Sequence, residues 1–134
     1  MKTLEIRQPA KHLASSYDVI VVGAGITLHE ALVAYEKLKK MGIFIRVIDL
    51  YSIKPLDITT LERAVKETKA LIVVEDHYPA GGIGEAVSAV LINSRIKIYS
   101  LAVRKIPKSG KPQELLEFEE ISSDSIIKKV KEII

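Results

Sequence analysis

Cysteine and tryptophan are both absent from the 134 residues. Without a thiol there is no disulfide, no thiolate metal site and no cysteine nucleophile. Histidine is scarce as well, with only His12, His29 and His77. No two of them stand at a ligand spacing such as H-x-x-x-H, so no metal site is expected. Aromatic residues make up 5% of the chain, too few for a base-stacking platform. The net charge of +3 is mild, and its lysines are spread along the chain rather than gathered into a nucleic-acid face. No apolar run approaches the roughly 20 residues of a membrane span. The stretch Met1–Ser16 is polar and has no apolar core of the kind a secretory signal carries. A nucleophile elbow, G-x-S-x-G, does not occur. The expectation is a cytoplasmic protein with no nucleic-acid or membrane partner and no catalytic residue recognisable from pattern alone.

What remains is an apolar fraction of 48% against 28% charged, enough to bury a core and too much for a disordered chain. The length suits one domain. We place it over residues 17–134, preceded by a polar leader over 1–16 in which Lys11–Ser15 is the candidate for a short edge strand. Asp18-Val-Ile-Val-Val-Gly23 reads as a strand buried on both faces. Thr27-Leu-His-Glu30 has the spacing of a capping box. Leu28, Ala31, Leu32, Tyr35 and Leu38 continue at helical spacing, and Gly42 stands where a helix terminates. Ile43–Ile48 reads as a second strand, and Asp57 as the cap of a helix carrying Ile58, Leu61 and Val65. Ala70–Val74 is a third strand, and Gly81-Gly-Ile-Gly84 opens a helix through Asn93. Lys97–Val103 is a further strand. Pro112 suits the first turn of a short helix, and the last helix runs from about Asp124 to the end. Strands alternating with helices give a mostly parallel sheet covered on both faces.

Four constellations are chemically suggestive. Gly23-Ala24-Gly25 follows the first strand, with Asp49 at the end of the second, where a ribose-binding carboxylate stands in a dinucleotide fold. The third glycine of that fingerprint is replaced by Leu28, so the alternative is a tight strand-to-helix turn. Gly81, Gly82 and Gly84 expose amides at a helix start and are candidates for an anion; Glu85 in the first turn offsets the same dipole, and the alternative is a turn that needs positive φ. Glu75-Asp76-His77 lies at the carboxyl end of a strand, where ligands of open α/β sheets bind; alternation puts Glu75 and His77 on one side. Arg104, Lys105, Lys108 and Lys111 concentrate in one loop that would attract a phosphate or an acidic surface. As nucleotide or anion candidates these patterns nominate Gly23, Gly25, Asp49, Gly81, Gly82 and Gly84.

Three stretches, taken in order, resemble the C-terminal domain of transketolases: Val19-Ile-Val-Val-Gly-Ala-Gly-Ile-Thr-Leu-His-Glu-Ala-Leu32 with Ile53-Lys-Pro-Leu-Asp57, Val74-Glu-Asp-His-Tyr78 with Gly81-Gly-Ile-Gly-Glu-Ala-Val87, and Ser109-Gly-Lys-Pro112 with Glu114-Leu-Leu116. The last loop resembles the animal-like branch; the glycine turn is shared with other thiamine-diphosphate enzymes. The resemblance covers about residues 18–134. It implies a three-layer α/β/α fold, with a five-stranded, mostly parallel sheet and one antiparallel edge strand. It further implies a homodimeric transferase of the pentose phosphate pathway that moves a two-carbon ketol unit between sugar phosphates, using thiamine diphosphate and Mg bound by preceding domains. The family's metal and diphosphate motif, Gly-Asp-Gly with two later asparagines, is absent here, so no cofactor is expected in this chain. Its partners are then the thiamine-binding domains or subunit of the same enzyme, and its own role is packing, assembly or regulation. One departure stands out: Glu117-Phe-Glu-Glu-Ile-Ser-Ser-Asp124 lies where related chains usually have a Phe-Gly-Ile-Asp type turn. The rival readings are a stand-alone nucleotide-binding module and the C-terminal section of another thiamine-diphosphate enzyme.

Overall fold

The computed structural model describes residues 4–6, 17–50 and 56–134. The expected edge strand near Lys11–Ser15 and the Ile53-Lys-Pro segment lie outside the described residues. The elements run β1 (Leu4–Ile6), β2 (Val19–Gly23), α1 (Ile26–Lys40), β3 (Ile45–Asp49), α2 (Ile58–Ala64) with a short 3-10 turn (Val65–Glu67), β4 (Ala70–Val74), α3 (Ile83–Val90), β5 (Lys97–Leu101), α4 (Pro112–Phe118) and α5 (Ser123–Ile133). The sheet order is β1-β3-β2-β4-β5. Four strands are parallel, and β1 pairs antiparallel with β3 at one edge. This is the expected five-stranded arrangement. Its antiparallel strand is Leu4–Ile6.

The continuous apolar strands explain the layering. Alternate residues of β2, β3 and β4 face opposite sides, and both sides are covered. Val19, Val21, Val47 and Ile72 pack with Ala34, Leu38, Ile126 and Val130 beneath α1 and α5. Ile20, Val22, Ile48 and Leu71 pack with Leu61, Ala64 and Val87 beneath α2 and α3. The chain steps from β2 to β3 on one side and returns to β4 on the other. The crevice between β2 and β4 is therefore the point where strand order reverses, the usual ligand position in such sheets.

Local signals set the helix ends. Gly42 has φ 78°, its amide bonds Lys39 O and the Ile43 amide bonds Leu38 O, a Schellman termination. Asp57 caps α2, its Oδ1 accepting from the Thr60 amide at 3.1 Å and its Oδ2 from the Thr60 hydroxyl at 2.8 Å. Pro112 occupies the first turn of α4. Two elements are shorter than their apolar patterns: α3 stops at Val90 rather than Asn93, and β5 at Leu101 rather than Val103. The turn between α4 and α5 takes its left-handed position without a glycine. Glu120 adopts φ 59°, its amide bonds Glu117 O and the Ile121 amide bonds Leu116 O, so a non-glycine residue bears the left-handed position.

Candidate functional site: the carboxyl edge of the sheet

The parallel strands deliver Gly23, Asp49, Val74 and Leu101 to one edge. Both glycine turns, the Glu75-Asp76-His77 stretch and the basic loop all meet there.

The first turn is closed by a hydroxyl. Gly25 precedes α1 with φ 60° and offers no side-chain cap. Thr27 is one residue inside the helix rather than before it, so the expected capping box does not form. Its Oγ1 instead accepts from the Ala24 amide at 3.0 Å and stands 2.9 Å from Ala24 O and 2.8 Å from Val74 O. That last bond spans the crevice between β2 and β4. Gly23 is needed for close approach: a Cβ there would sit 3.1 Å from the Leu28 amide nitrogen. Asp49 lies beside Gly23 in register, and burial pushes its carboxyl up from the usual value. Glu30 does not reach back to the helix start. It is buried and turns toward α4 and α5, where Oε1 accepts from the Ser123 amide at 3.2 Å and from Gln113 Nε2 at 3.3 Å. It thereby meets the positive end of α5.

The second turn is closed by a carboxylate. Glu75 is 1% exposed. Its Oε1 accepts from the Ile83 amide at 2.9 Å and its Oε2 from the Gly84 amide at 2.8 Å. These are first-turn amides of α3, which an external anion would need. Gly82 has no room for a side chain, because a Cβ would fall 1.8 Å from Glu75 Oε1. Gly81 takes φ 72°, and its amide donates to Glu85 Oε2 at 2.9 Å.

Glu75 and His77 do not share a side. The strand ends at Val74, so alternation no longer applies, and Glu75 turns inward while Asp76 and His77 are exposed. The His77 Nδ1 lies 2.7 Å from Tyr78 O. His29 is exposed on α1, and His12 lies outside the described residues. In the basic loop, the Lys105 ammonium donates to Phe118 O at 2.7 Å. The Lys105 and Lys108 ammonium groups also stand 4.8 and 4.6 Å from the Phe118 ring centroid. Half of the loop's cations are thus committed to α4. Between this loop and the His77 turn runs a groove of about 370 Å³ walled by His77, Tyr78, Val103, Pro107, Leu115 and Glu119. Tyr78 and Ile106 beside it are 53% and 85% exposed.

Among the described residues no group of three histidine, cysteine, aspartate or glutamate side chains could hold a metal ion. A diphosphate does not fit the second turn either, since the two first-turn amides already face Glu75. Sequence reasoning missed the part played by Glu75 and the crevice-spanning bond of Thr27. The Gly-Gly-Ile-Gly spacing was visible. What fills it was not.

The profile of the transketolase C-terminal domain matches residues 9–126. Transketolase-like protein 1 of Macaca fascicularis is 56% identical over 123 residues, covering 90% of this chain and 20% of that protein. Human transketolase is 48% identical over 129 residues, covering 93% and 21%. This chain thus spans about a fifth of the length of the curated relatives it matches. Among solved structures, a split-gene transketolase described as an inactive β4 tetramer superposes with a TM-score of 0.85 at 28% identity, over 98% of this chain and 42% of that one. The chain belongs to the transketolase C-terminal domain family.

Proposed function

We propose that this domain serves a transketolase by assembly and packing and carries none of its chemistry. The complete enzyme transfers a two-carbon ketol unit between sugar phosphates in the cytoplasm, with thiamine diphosphate and Mg held by its other domains. The observation that carries the reading is the state of the carboxyl edge. The amides that a phosphate would need are bonded to Glu75, and the crevice at the switch point is spanned by Thr27. What the edge leaves open includes apolar surface, with Tyr78 and Ile106 exposed at a groove whose rim also carries Asp76, His77 and Lys108. We assign that surface to contact with the thiamine-binding domains or subunit, and the complete enzyme to a homodimer of such assemblies. Gly23, Gly25, Asp49, Gly81, Gly82 and Gly84 then act as turn and packing residues rather than nucleotide or anion ligands. No helix among the described residues is long and apolar enough to cross a membrane.

Two measurements test this. Co-purification with a thiamine-binding chain of the same enzyme should restore ketol transfer that neither chain performs alone, and a Tyr78→Ser/Ile106→Ser variant should weaken the pairing. Ketol transfer by this chain unaided would overturn the reading. Calorimetry with thiamine diphosphate and magnesium, and with NAD and ATP, should give no heat of binding. Micromolar binding of thiamine diphosphate would contradict it, and micromolar binding of NAD or ATP would favour a nucleotide-binding module.

A further inference from the structure

The amino edge of the sheet, remote from the glycine turns, holds a concavity of about 550 Å³ at the starts of β4 and β5. Thr68, Lys69, Ser94, Arg95, Lys97 and Tyr99 contribute to its wall, and none of its lining side chains is acidic. The two loops that form it are tied together, because the Lys97 amide donates to Lys69 O at 3.4 Å. Lys97 stands opposite Ala70 in the β4–β5 register, which places Lys69 and Lys97 at the mouths of adjacent strands. Among the described residues, no carboxylate pairs with Lys69, Arg95 or Lys97. The Ser94 hydroxyl oxygen is buried without a hydrogen-bond partner, an uncommon state for a polar group.

Magnitudes decide between two explanations of the three cations. Parallel β/α connections bring helix carboxyl ends to this edge, and cations there offset the helix dipole. Three such ends, of α2 with its 3-10 turn at Glu67, of α3 at Val90 and of α5 at Ile133, which itself lines the concavity, supply roughly half a negative charge each. That balances about one and a half of the three cations and leaves about one and a half positive charges around a wall with no acidic side chain. A phosphomonoester, which carries between about one and two negative charges near neutral pH, matches this surplus. The guanidinium of Arg95 provides the planar fork that pairs with phosphate oxygens, and the volume falls within the range of small-molecule sites.

We propose that this concavity binds a small phosphomonoester, with Lys69, Arg95 and Lys97 neutralising the phosphate and Ser94 supplying a hydroxyl hydrogen bond after rotation about χ1. The site is independent of the assembly role, and its test reads this chain alone. The full chain, isotopically labelled, is titrated with inorganic phosphate and separately with ribose 5-phosphate, and amide shifts are followed. Saturable shifts confined to residues 68–70 and 94–97, complete by about 10 mM for a dissociation constant of roughly 1 mM, are expected with at least one of the two. They should vanish in Arg95→Ala/Lys97→Ala, whose fold is verified by its unaltered circular dichroism and the retained dispersion of its other amides. They should persist in Lys128→Ala/Lys131→Ala, which loses the same charge on the outer face of α5. Absence of saturation with both ligands overturns the site. So does equal loss in the charge-matched control, which would mean that net charge alone attracts the anion.

Discussion

The two glycine turns at the carboxyl edge look alike in sequence and differ in what closes them. Gly23-Ala24-Gly25 is held by the neutral hydroxyl of Thr27, which reaches the Ala24 backbone and Val74 O. Gly81-Gly82-Ile83-Gly84 is held by the buried carboxylate of Glu75, which takes two helix amides at once. Val74 and Glu75 are neighbours, so the end of β4 serves both turns, with its backbone on one side and a side chain on the other. A glycine-rich turn before a helix presents an anion site only while its amides are vacant. Here the chain supplies the closing groups itself, one dipolar and one charged.

That contrast predicts unequal costs. Glu75→Ala should have the largest effect. It strips two charge-assisted hydrogen bonds from buried amides, each worth about 1.5–3 kcal/mol, so a loss of about 3–5 kcal/mol is expected in urea unfolding. This is a large share of the ~5–15 kcal/mol of an ordinary domain. Gly82→Ala should be similarly damaging, because its Cβ meets Glu75 Oε1 at 1.8 Å and Tyr78 O at 2.9 Å. The two losses should be non-additive in the double variant, since removing the carboxylate also removes the worst overlap. Additive losses would show that the carboxylate is not what forbids a side chain at Gly82. Thr27→Val should cost less, about 1–2 kcal/mol, because it orphans the Ala24 amide but breaks only neutral hydrogen bonds at nearly constant volume. If Thr27→Val proved the costlier, the crevice-spanning bond and not the carboxylate would be the main fastening of this edge.

The sequence displayed the turns and concealed their closures, for a physical reason. Glycine spacing, apolar runs and end signals such as Asp57, Gly42 and Pro112 act within a few residues and are legible locally. Glu75 and the Ile83 and Gly84 amides it satisfies are separated by eight and nine residues across a strand end, and Glu30 finds Ser123 at a separation of 93. Such partners become visible only once strand order is known. Thr27 lies two residues beyond the actual N-cap, Gly25, because α1 begins at Ile26, and that shift converts an apparent cap into a crevice-spanning bond. Arg46 is a stronger case. It is fully buried in β3 and pairs with Glu67 beyond α2, and nothing in the run Ile43–Ile48 announces a partner. The amino-edge cations were equally hidden, since Lys69 and Arg95 are 26 residues apart and meet only through the β4–β5 pairing.

A third turn sharpens the comparison by lacking glycine altogether. Glu120 holds the left-handed position after α4 at φ 59°, a conformation that costs a residue with a Cβ roughly 1–2 kcal/mol. Its contact with Lys105 at 3.9 Å is exposed and returns little. Glu120→Gly should therefore raise stability, by about 0.5–1 kcal/mol after the greater unfolded-state freedom of glycine is subtracted. A thermal midpoint that fell instead would mean that the Glu120 side chain contributes more than its backbone strain costs.

The smallest effect concerns Asp49, beside the first turn. Burial raises its carboxyl above the ordinary value, so the folded chain holds this proton more tightly than the unfolded chain. Its contribution to stability is then full below the unfolded value and is lost as pH rises through the folded one. Asp49→Asn removes that loss. The variant should gain on the parent as pH climbs from the unfolded value of this carboxyl through its raised folded value, with the difference constant beyond the titration. The opposite slope, with the parent gaining as pH rises, would require an ionised Asp49 held by a favourable partner. That is the state a ribose- or cation-binding carboxylate would need. The direction of this one slope therefore separates a turn residue burdened by burial from a carboxylate poised for a ligand.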